Sequence, residues 1–165
     1  MSNTEKYDFE RQLIKGRITE TIFDQMFRER EDFIVIPFGY EKVLPEITQY
    51  AEGREAEMVK DNIRNAPDYA LISHKHNGIY LVEVKYRRKI NNEEVLEIAE
   101  KIHKRWKLVW LFMATQEGFY FDSCANILRK KKIIQLSTSW ISKDVQDSYH
   151  KMIRSFIQNG NQIKN

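Results

Sequence analysis

The feature that most restricts the fold of this chain is the pair Asn77-Gly78, which separates two apolar, strand-like runs at 69–75 and 79–87. Asn-Gly between such runs is a strong signal for an antiparallel hairpin, because both residues accept the positive φ angles of a tight two-residue turn. With these two residues as the turn, residue 76 pairs with residue 79. The sequence therefore predicts two neighbouring strands in a defined register.

Three charged residues interrupt the apolar character of this hairpin: Asp68 precedes the first strand, and Glu83 and Lys85 lie in the second. Residues two apart on a strand share a face, so Glu83 and Lys85 point the same way. The predicted register places Asp68 opposite Arg87 and Ala70 opposite Lys85, which brings Asp68 to that face as well; a shift of one residue would turn it away. We therefore expect two carboxylates and one ammonium group to meet at one end of one sheet face.

A fourth charged residue comes from the first predicted helix, at 4–30, whose apolar residues recur at helical spacing. One stripe of this helix contains Phe9, Leu13, Gly16, Glu20, Phe23 and Phe27. A buried charge without a partner is costly, so a carboxylate on this stripe needs a cation nearby. We expect Glu20 to face the sheet, mostly buried, and to point towards the same cluster.

The remaining patterns predict the other elements of a mixed α/β sheet. Strands are expected at 33–38, 107–115, 118–121 and 133–137, and helices within 43–64, at 92–106 and from Ser142 or Asp144 to near Gly160. The run at 107–115 is apolar throughout, which is typical of a strand buried on both faces. We interpret residues 1–165 as a single α/β domain with a mixed central sheet and flanking helices.

Three carboxylates around a gap are suited to a hard divalent cation, Mg²⁺ or Mn²⁺, which prefers oxygen ligands. Such an ion can polarise a phosphoryl oxygen and lower the pKa of a bound water. Lys85 adds a mobile positive charge that can orient that water or neutralise charge that develops on the phosphorus. This combination favours hydrolysis of a phosphodiester bond.

The residues that carry this chemistry are arranged as Pro67-Asp68, a short gap, and Glu83-Val84-Lys85 after an apolar strand. This arrangement resembles the motif of the PD-(D/E)XK, or restriction-endonuclease-like, nuclease superfamily, and Glu20 matches a glutamate that its members commonly carry on the first helix. The resemblance implies an αβββαβ core at about 4–115, with 116–165 as a C-terminal extension. It also implies a metal-dependent endonuclease acting on DNA rather than RNA, with Asp68, Glu83 and Glu20 as metal ligands and Lys85 as a catalytic residue.

Several basic runs are candidates for contacts with phosphate. Arg87, Arg88 and Lys89 follow the motif directly, and we expect them to bind nucleic acid at the mouth of the site. The run at 101–107 ends a helix that opens with glutamates, an order that complements the helix dipole, so we interpret it as structural.

The overall composition limits the cellular setting and the partners of the chain. Its 165 residues carry a net charge of +3, which permits a polyanionic partner without requiring one. No apolar stretch is long enough to cross a membrane, the N-terminus has no secretory pattern, and Cys124 is the only cysteine. We expect a cytoplasmic protein that does not bind a membrane; the sequence allows a homodimer.

Each part of the motif also has an ordinary structural interpretation. Pro67-Asp68 alone is typical of a loop that enters a strand, and Glu83 with Lys85 is typical of a solvated pair on an edge strand. A rival hypothesis is a non-catalytic nucleic-acid-binding or assembly protein on the same fold. The intact set of Asp68, Glu83 and Lys85 favours the enzyme, because a degenerate relative would be expected to lose one of the three.

Overall fold

The structure, a computed structural model, describes residues 3–38 and 53–159. Its helices are α1 (Asn3–Arg28), α2 (Arg54–Arg64), α3 (Asn92–Arg105), α4 (Cys124–Lys130) and α5 (Lys143–Asn159). Its strands are β1 (Phe33–Pro37), β2 (Tyr69–Ser73), β3 (Gly78–Tyr86), β4 (Val109–Ala114) and β5 (Phe119–Ser123). None of the helices in these ranges is long and apolar enough to cross a membrane.

The five strands form one mixed sheet in the order β1-β2-β3-β4-β5. Neighbouring strands are antiparallel except β3 and β4, which are parallel and are connected through α3. A parallel pair needs a crossover connection, and a helix is the usual one. The predicted fold class, a mixed α/β sheet with flanking helices, is confirmed.

The hairpin between β2 and β3 has a different turn from the one that we predicted. Ser73 lies opposite Gly78, and the loop between them has four residues, 74–77. Asn77 has a positive φ of 48°, whereas Gly78 is already part of the strand. The Ser73 hydroxyl accepts a hydrogen bond from the backbone N–H of His76 at 3.0 Å, which closes the loop from within. The pairing of residue 76 with residue 79 is therefore wrong, and so are the pairings of Asp68 with Arg87 and of Ala70 with Lys85.

Helices cover both faces of the sheet. On one face, α1 and α5 pack on an aromatic core that includes Phe23, Phe27 and Phe112 together with Val82 and Val84 of β3. On the other face, α3 and α4 pack on a second core, whose buried members are Val95, Ala99, Val109, Leu111, Met113, Cys124, Ile127 and Ile133. Because side chains alternate along a strand, Glu83 and Lys85 lie on the face of α3 and α4, away from α1.

The boundaries of several elements depart from the sequence predictions. β4 is buried on both faces, as predicted. The stretch 133–137 forms only an isolated bridge between Tyr120 and Gln135, so the predicted strand there is wrong, and α4 was not predicted. Of the helical stretch predicted within 43–64, the part at 54–64 forms α2, and residues 43–52 lie outside the described residues.

The predicted stripe on α1 is buried only in the second half of the helix. Phe23 and Phe27 are fully buried, whereas Phe9 is 62% exposed and Leu13 is 49% exposed. At 1.5 Å per residue, a helix of 26 residues is about 39 Å long, longer than the sheet on which it packs. The first half of the stripe is therefore left exposed among the described residues.

Candidate active site

Asp68 and Glu83 are brought together at one end of the sheet by the pairing of β2 with β3. The last pair of this ladder is Tyr69 with Val82, so the next position along places Asp68 beside Glu83. The Oδ2 atom of Asp68 accepts a hydrogen bond from the backbone N–H of Val84 at 2.7 Å. The Asp68 carboxylate thus acts as the hydrogen-bond acceptor for Val84 just beyond the last paired residues of the two strands, and this contact holds the side chain against β3.

Glu83 and Lys85 form an ion pair on the same sheet face, as the alternation along β3 predicts. The Nζ atom of Lys85 donates to Oε1 of Glu83 at 2.5 Å. The Glu83 side chain is 15% exposed and that of Lys85 37% exposed. Burial disfavours the charged form of Lys85, but Glu83 and Asp68 outweigh burial and raise the pKa of the ammonium group. Lys85 therefore stays protonated beside the two carboxylates.

The Asp68 carboxyl group is in an environment that disfavours its charge. Burial raises the pKa of Asp68 to about 7, and the charges of Glu83 and Glu20 act in the same direction. The hydrogen bond from Val84 and the charge of Lys85 oppose this rise but do not cancel it. The ammonium group of Lys85 thus does not compensate for burial and for the neighbouring carboxylates, and a further cation would stabilise the ionised form of Asp68.

Glu20 lies near Asp68 but reaches it from the other side of the sheet. It is mostly buried on α1, as we predicted. Its charge contributes to the raised pKa values of Asp68 and Tyr69, and the Tyr69 hydroxyl donates to its backbone carbonyl oxygen at 3.3 Å. Within the described residues, no three His, Cys, Asp or Glu side chains form a group that could hold a metal ion. Metal ligation by Glu20 stays a prediction.

The pair Asp68 and Glu83 by itself fits a magnesium site. Magnesium usually takes one or two protein carboxylates and keeps several of its waters. Asp68 uses one oxygen for Val84 and Glu83 uses one for Lys85, which leaves each carboxylate a second oxygen. Burial and, after it, the charge of Glu83 raise the pKa of Asp68, and a divalent cation between the two carboxylates would oppose both effects.

A cavity of about 420 Å³ opens over these carboxylates, between the end of β3, the C-terminal end of α2 and one side of α3. Asp68 and Glu83 are the acidic residues in its lining. The cations in its lining come from three elements: Arg64, Lys85, Arg87, Lys101 and Arg105. The carboxylate pair thus lies in a cavity whose other charged lining residues are cations.

Sequence reasoning missed three of these cations, namely Arg64, Lys101 and Arg105. Lys101 and Arg105 belong to the run that we interpreted as a complement to the helix dipole. They alternate with Ile98 and Ile102 at spacings of three and four, so that all four residues lie on one side of α3 and line the cavity. This spacing was a usable signal, whereas nothing near Arg64 in the sequence points to the site.

The three basic residues that we predicted to bind nucleic acid are separated by the structure. Arg87 lines the cavity, donates through Nε to Glu94 and through Nη1 to the Tyr86 carbonyl oxygen at 2.8 Å. Arg88 and Lys89 are exposed and are not part of the cavity lining. Arg87 continues the alternation of side chains along β3 and lies on the face of Glu83 and Lys85, whereas the next residue, Arg88, points to the opposite face.

A buried polar group lies behind Glu83 on the same sheet face. Asp122 of β5 is aligned with Glu83 across Leu111 of β4. Its Oδ1 atom accepts from Ser123 N–H at 2.8 Å and from Asn126 Nδ2 at 3.1 Å. Its Oδ2 atom is buried and has no hydrogen-bond partner within the part of the chain that the structure describes. Burial, together with Glu83 and Asp122, raises the pKa of the Cys124 thiol to about 12, so this cysteine is no nucleophile.

Comparison of the chain with protein-family models, with curated proteins and with solved structures finds no match.

Proposed function

We propose that this protein is a metal-dependent nuclease of the PD-(D/E)XK kind that hydrolyses phosphodiester bonds, as an endonuclease acting on DNA. The observation that carries the proposal is the placement of Asp68, Glu83 and Lys85 together on the floor of a cavity with cationic walls. Carboxylates recessed among cations suit an anionic substrate that reacts beside a bound cation.

The order of elements supports the same kind of fold. A helix, three strands, a helix and a fourth strand follow one another as α1, β1, β2, β3, α3 and β4, with α2 inserted between β1 and β2. β5, α4 and α5 then form the C-terminal extension. Asp68 and Glu83 stand at neighbouring positions of the central hairpin of this arrangement.

Each residue of the cluster has a separate role in the proposed reaction. Asp68 and Glu83 would hold Mg²⁺ or Mn²⁺, with Glu20 near Asp68 as an outer carboxylate. A bound ion would polarise a phosphoryl oxygen of the substrate and lower the pKa of a water bound to the ion. Lys85, protonated and anchored on Glu83, is placed to orient the attacking water and to neutralise the charge that develops on the phosphate.

The rival hypothesis is a non-catalytic nucleic-acid-binding or assembly protein. Two observations favour it: the charges of Glu83 and Lys85 already neutralise each other in an ion pair, and the described residues form no three-ligand metal group. In this case the cationic cavity would bind an anion without any reaction.

Incubation of the purified chain with labelled linear, single-stranded and branched DNA, and with RNA, decides between the two hypotheses. We expect cleavage in Mg²⁺ or Mn²⁺ and none in EDTA. As a matched control, Lys151→Ala removes an exposed cation of α5 on the other face of the sheet, and this variant should cleave at the wild-type rate. Binding without cleavage in either metal, on every substrate, would overturn the nuclease proposal.

A further inference from the structure

We propose that Arg64 and Lys101 form a phosphate-binding pair across the mouth of the cavity, and that this pair receives a single, unpaired nucleic-acid strand. The inference rests on the proposed function, because it assigns a substrate class to the same site. It goes beyond that function by naming two residues on separate helices and the form of the strand that they admit.

The first argument is the availability of these two cations. Three of the cations that line the cavity already have acidic partners: Lys85 with Glu83, Arg87 with Glu94 and Arg105 with Asp61. Within the described residues, the side chains of Arg64 and Lys101 form no ion pair and no hydrogen bond.

The positions of the two side chains are the second argument. Arg64 is the last residue of α2 and Lys101 lies in the second half of α3, and both are exposed at the cavity. An anion in the mouth therefore meets a cation from each wall.

The Arg105–Asp61 ion pair supports the arrangement of these walls. Nη1 of Arg105 contacts Oδ2 of Asp61 at 2.9 Å, which ties α3 to α2 one turn away from Arg64. This contact joins the two helices without using Arg64 or Lys101, so both cations stay available to a ligand.

The size of the cavity determines the form of the ligand. A volume of about 420 Å³ is at the small end of the range for sites that enclose a small organic molecule, so it admits about one nucleotide. Glu83 is only 15% exposed, so a phosphate must enter the cavity to come close to it. In a duplex each phosphate is fixed on a stiff double helix, and bringing it into a recess requires costly deformation. A single strand can bend its backbone inward at low cost.

The wall between the cations suits an unpaired base or sugar. Ile98 and Ile102 of α3 line the cavity on either side of Lys101. Charged groups on the backbone and apolar surface for the base are the two components that single-strand sites combine. A paired base, by contrast, would keep its apolar faces stacked inside the duplex.

Binding titrations test the inference separately from catalysis. A labelled DNA oligonucleotide is titrated as a single strand and as the annealed duplex, in Ca²⁺ and at several salt concentrations. The variant Arg64→Ala/Lys101→Ala is compared with Lys151→Ala/Arg154→Ala, which removes the same charge from exposed residues of α5, on the other face of the sheet.

We expect the wild type to bind the single strand at least about tenfold more tightly than the duplex. The cavity variant should lose about tenfold in affinity for the single strand, and the slope of log K against log salt should fall by about 1.4 for two phosphate contacts. The control variant should stay within about twofold of the wild type.

Equal losses in the two variants, or duplex binding as tight as single-strand binding, would overturn the inference. Cleavage assays in Mg²⁺ keep this result apart from the nuclease proposal. If duplex and single strand are cleaved at equal rates, and these rates are unchanged in Arg64→Ala/Lys101→Ala, the phosphate-binding pair is rejected and the nuclease proposal is retained. The expected binding pattern without cleavage in any metal rejects the nuclease and retains the single-strand site.

Discussion

The carboxylate of Asp68 accepts a hydrogen bond from the backbone N–H of Val84 at 2.7 Å, and this contact ties the start of β2 to the middle of the Glu83-Val84-Lys85 segment. A side chain here replaces a backbone acceptor just beyond the last paired residues of the two strands. Asp68 is therefore positioned beside Glu83 by the sheet itself, independently of any ligand.

The first prediction concerns the pH dependence of stability. The pKa of Asp68 is about 7 in the folded protein, above its ordinary value of 3.8, so the folded state keeps a proton that the unfolded chain has lost. The contribution of Asp68 to the free energy of unfolding therefore decreases as pH rises from about 4 to about 7, by up to about 1.4 kcal/mol for each unit of pKa difference. Asp68→Asn removes this titration and should be more stable than the wild type at pH 8, by a few kcal/mol, and similar at pH 4.

Thermal unfolding of both proteins at these two pH values, in EDTA, measures the effect. Addition of Mg²⁺ at pH 8 should stabilise the wild type and leave Asp68→Asn nearly unchanged, because the ion relieves the repulsion between Asp68 and Glu83. A constant difference in stability between the two proteins from pH 4 to pH 8 would contradict the raised pKa.

The second prediction concerns catalysis by Lys85. Lys85→Ala should reduce cleavage by at least about a thousandfold while the affinity for nucleic acid stays within about threefold of wild type. The charge of Lys85 is partly neutralised by Glu83 in the ground state and acts on charge that appears in the transition state. Single-turnover cleavage in Mg²⁺ and Mn²⁺, with binding measured in Ca²⁺, separates the two quantities. If Lys85→Ala cuts as fast as the wild type, this role is wrong even for a nuclease.

The third prediction separates Arg87 from Arg88. Arg87 lines the cavity beside Lys85, whereas Arg88 is exposed outside it. Because Glu94 already pairs with Arg87, Arg87→Ala should weaken binding by only about two- to threefold and reduce the salt dependence by less than one phosphate contact, and Arg88→Ala should change neither quantity. Anisotropy titrations at several salt concentrations provide the comparison. A larger loss with Arg88→Ala would place the nucleic acid on the outer surface instead.

The fourth prediction tests the turn that sets the register. Asn77 has a positive φ of 48°, a conformation that is costly for a β-branched residue. Asn77→Val should destabilise the protein by about 1–2 kcal/mol, and Asn77→Gly should be neutral or slightly stabilising. Urea denaturation gives both values. Equal stability of the valine and glycine variants would show that residue 77 does not adopt this conformation.

Local sequence patterns determined which charged groups share a sheet face. The presence of Asn77-Gly78 between two apolar runs indicated the hairpin. The alternation of side chains along β3 predicted that Glu83 and Lys85 lie on the same face. The predicted register was wrong, because it placed Arg87 opposite Asp68 where the structure has Glu83. The predicted and observed partners are nevertheless separated by an even number of residues along β3. Because an even shift preserves the face, Asp68 still reached the cluster.

The tertiary structure decided what surrounds that cluster. Arg64 and Lys101 lie on helices that are distant in sequence, and only the packing of α3 on the sheet and the Arg105–Asp61 contact bring them to one cavity. Helical periodicity marked an inward stripe on α1, but it could not tell which sheet face that helix covers, so Glu20 approaches Asp68 from the side opposite Glu83. Periodicity is a property of a few consecutive residues, whereas the choice of face and the walls of a cavity depend on how much apolar surface all the elements bury together.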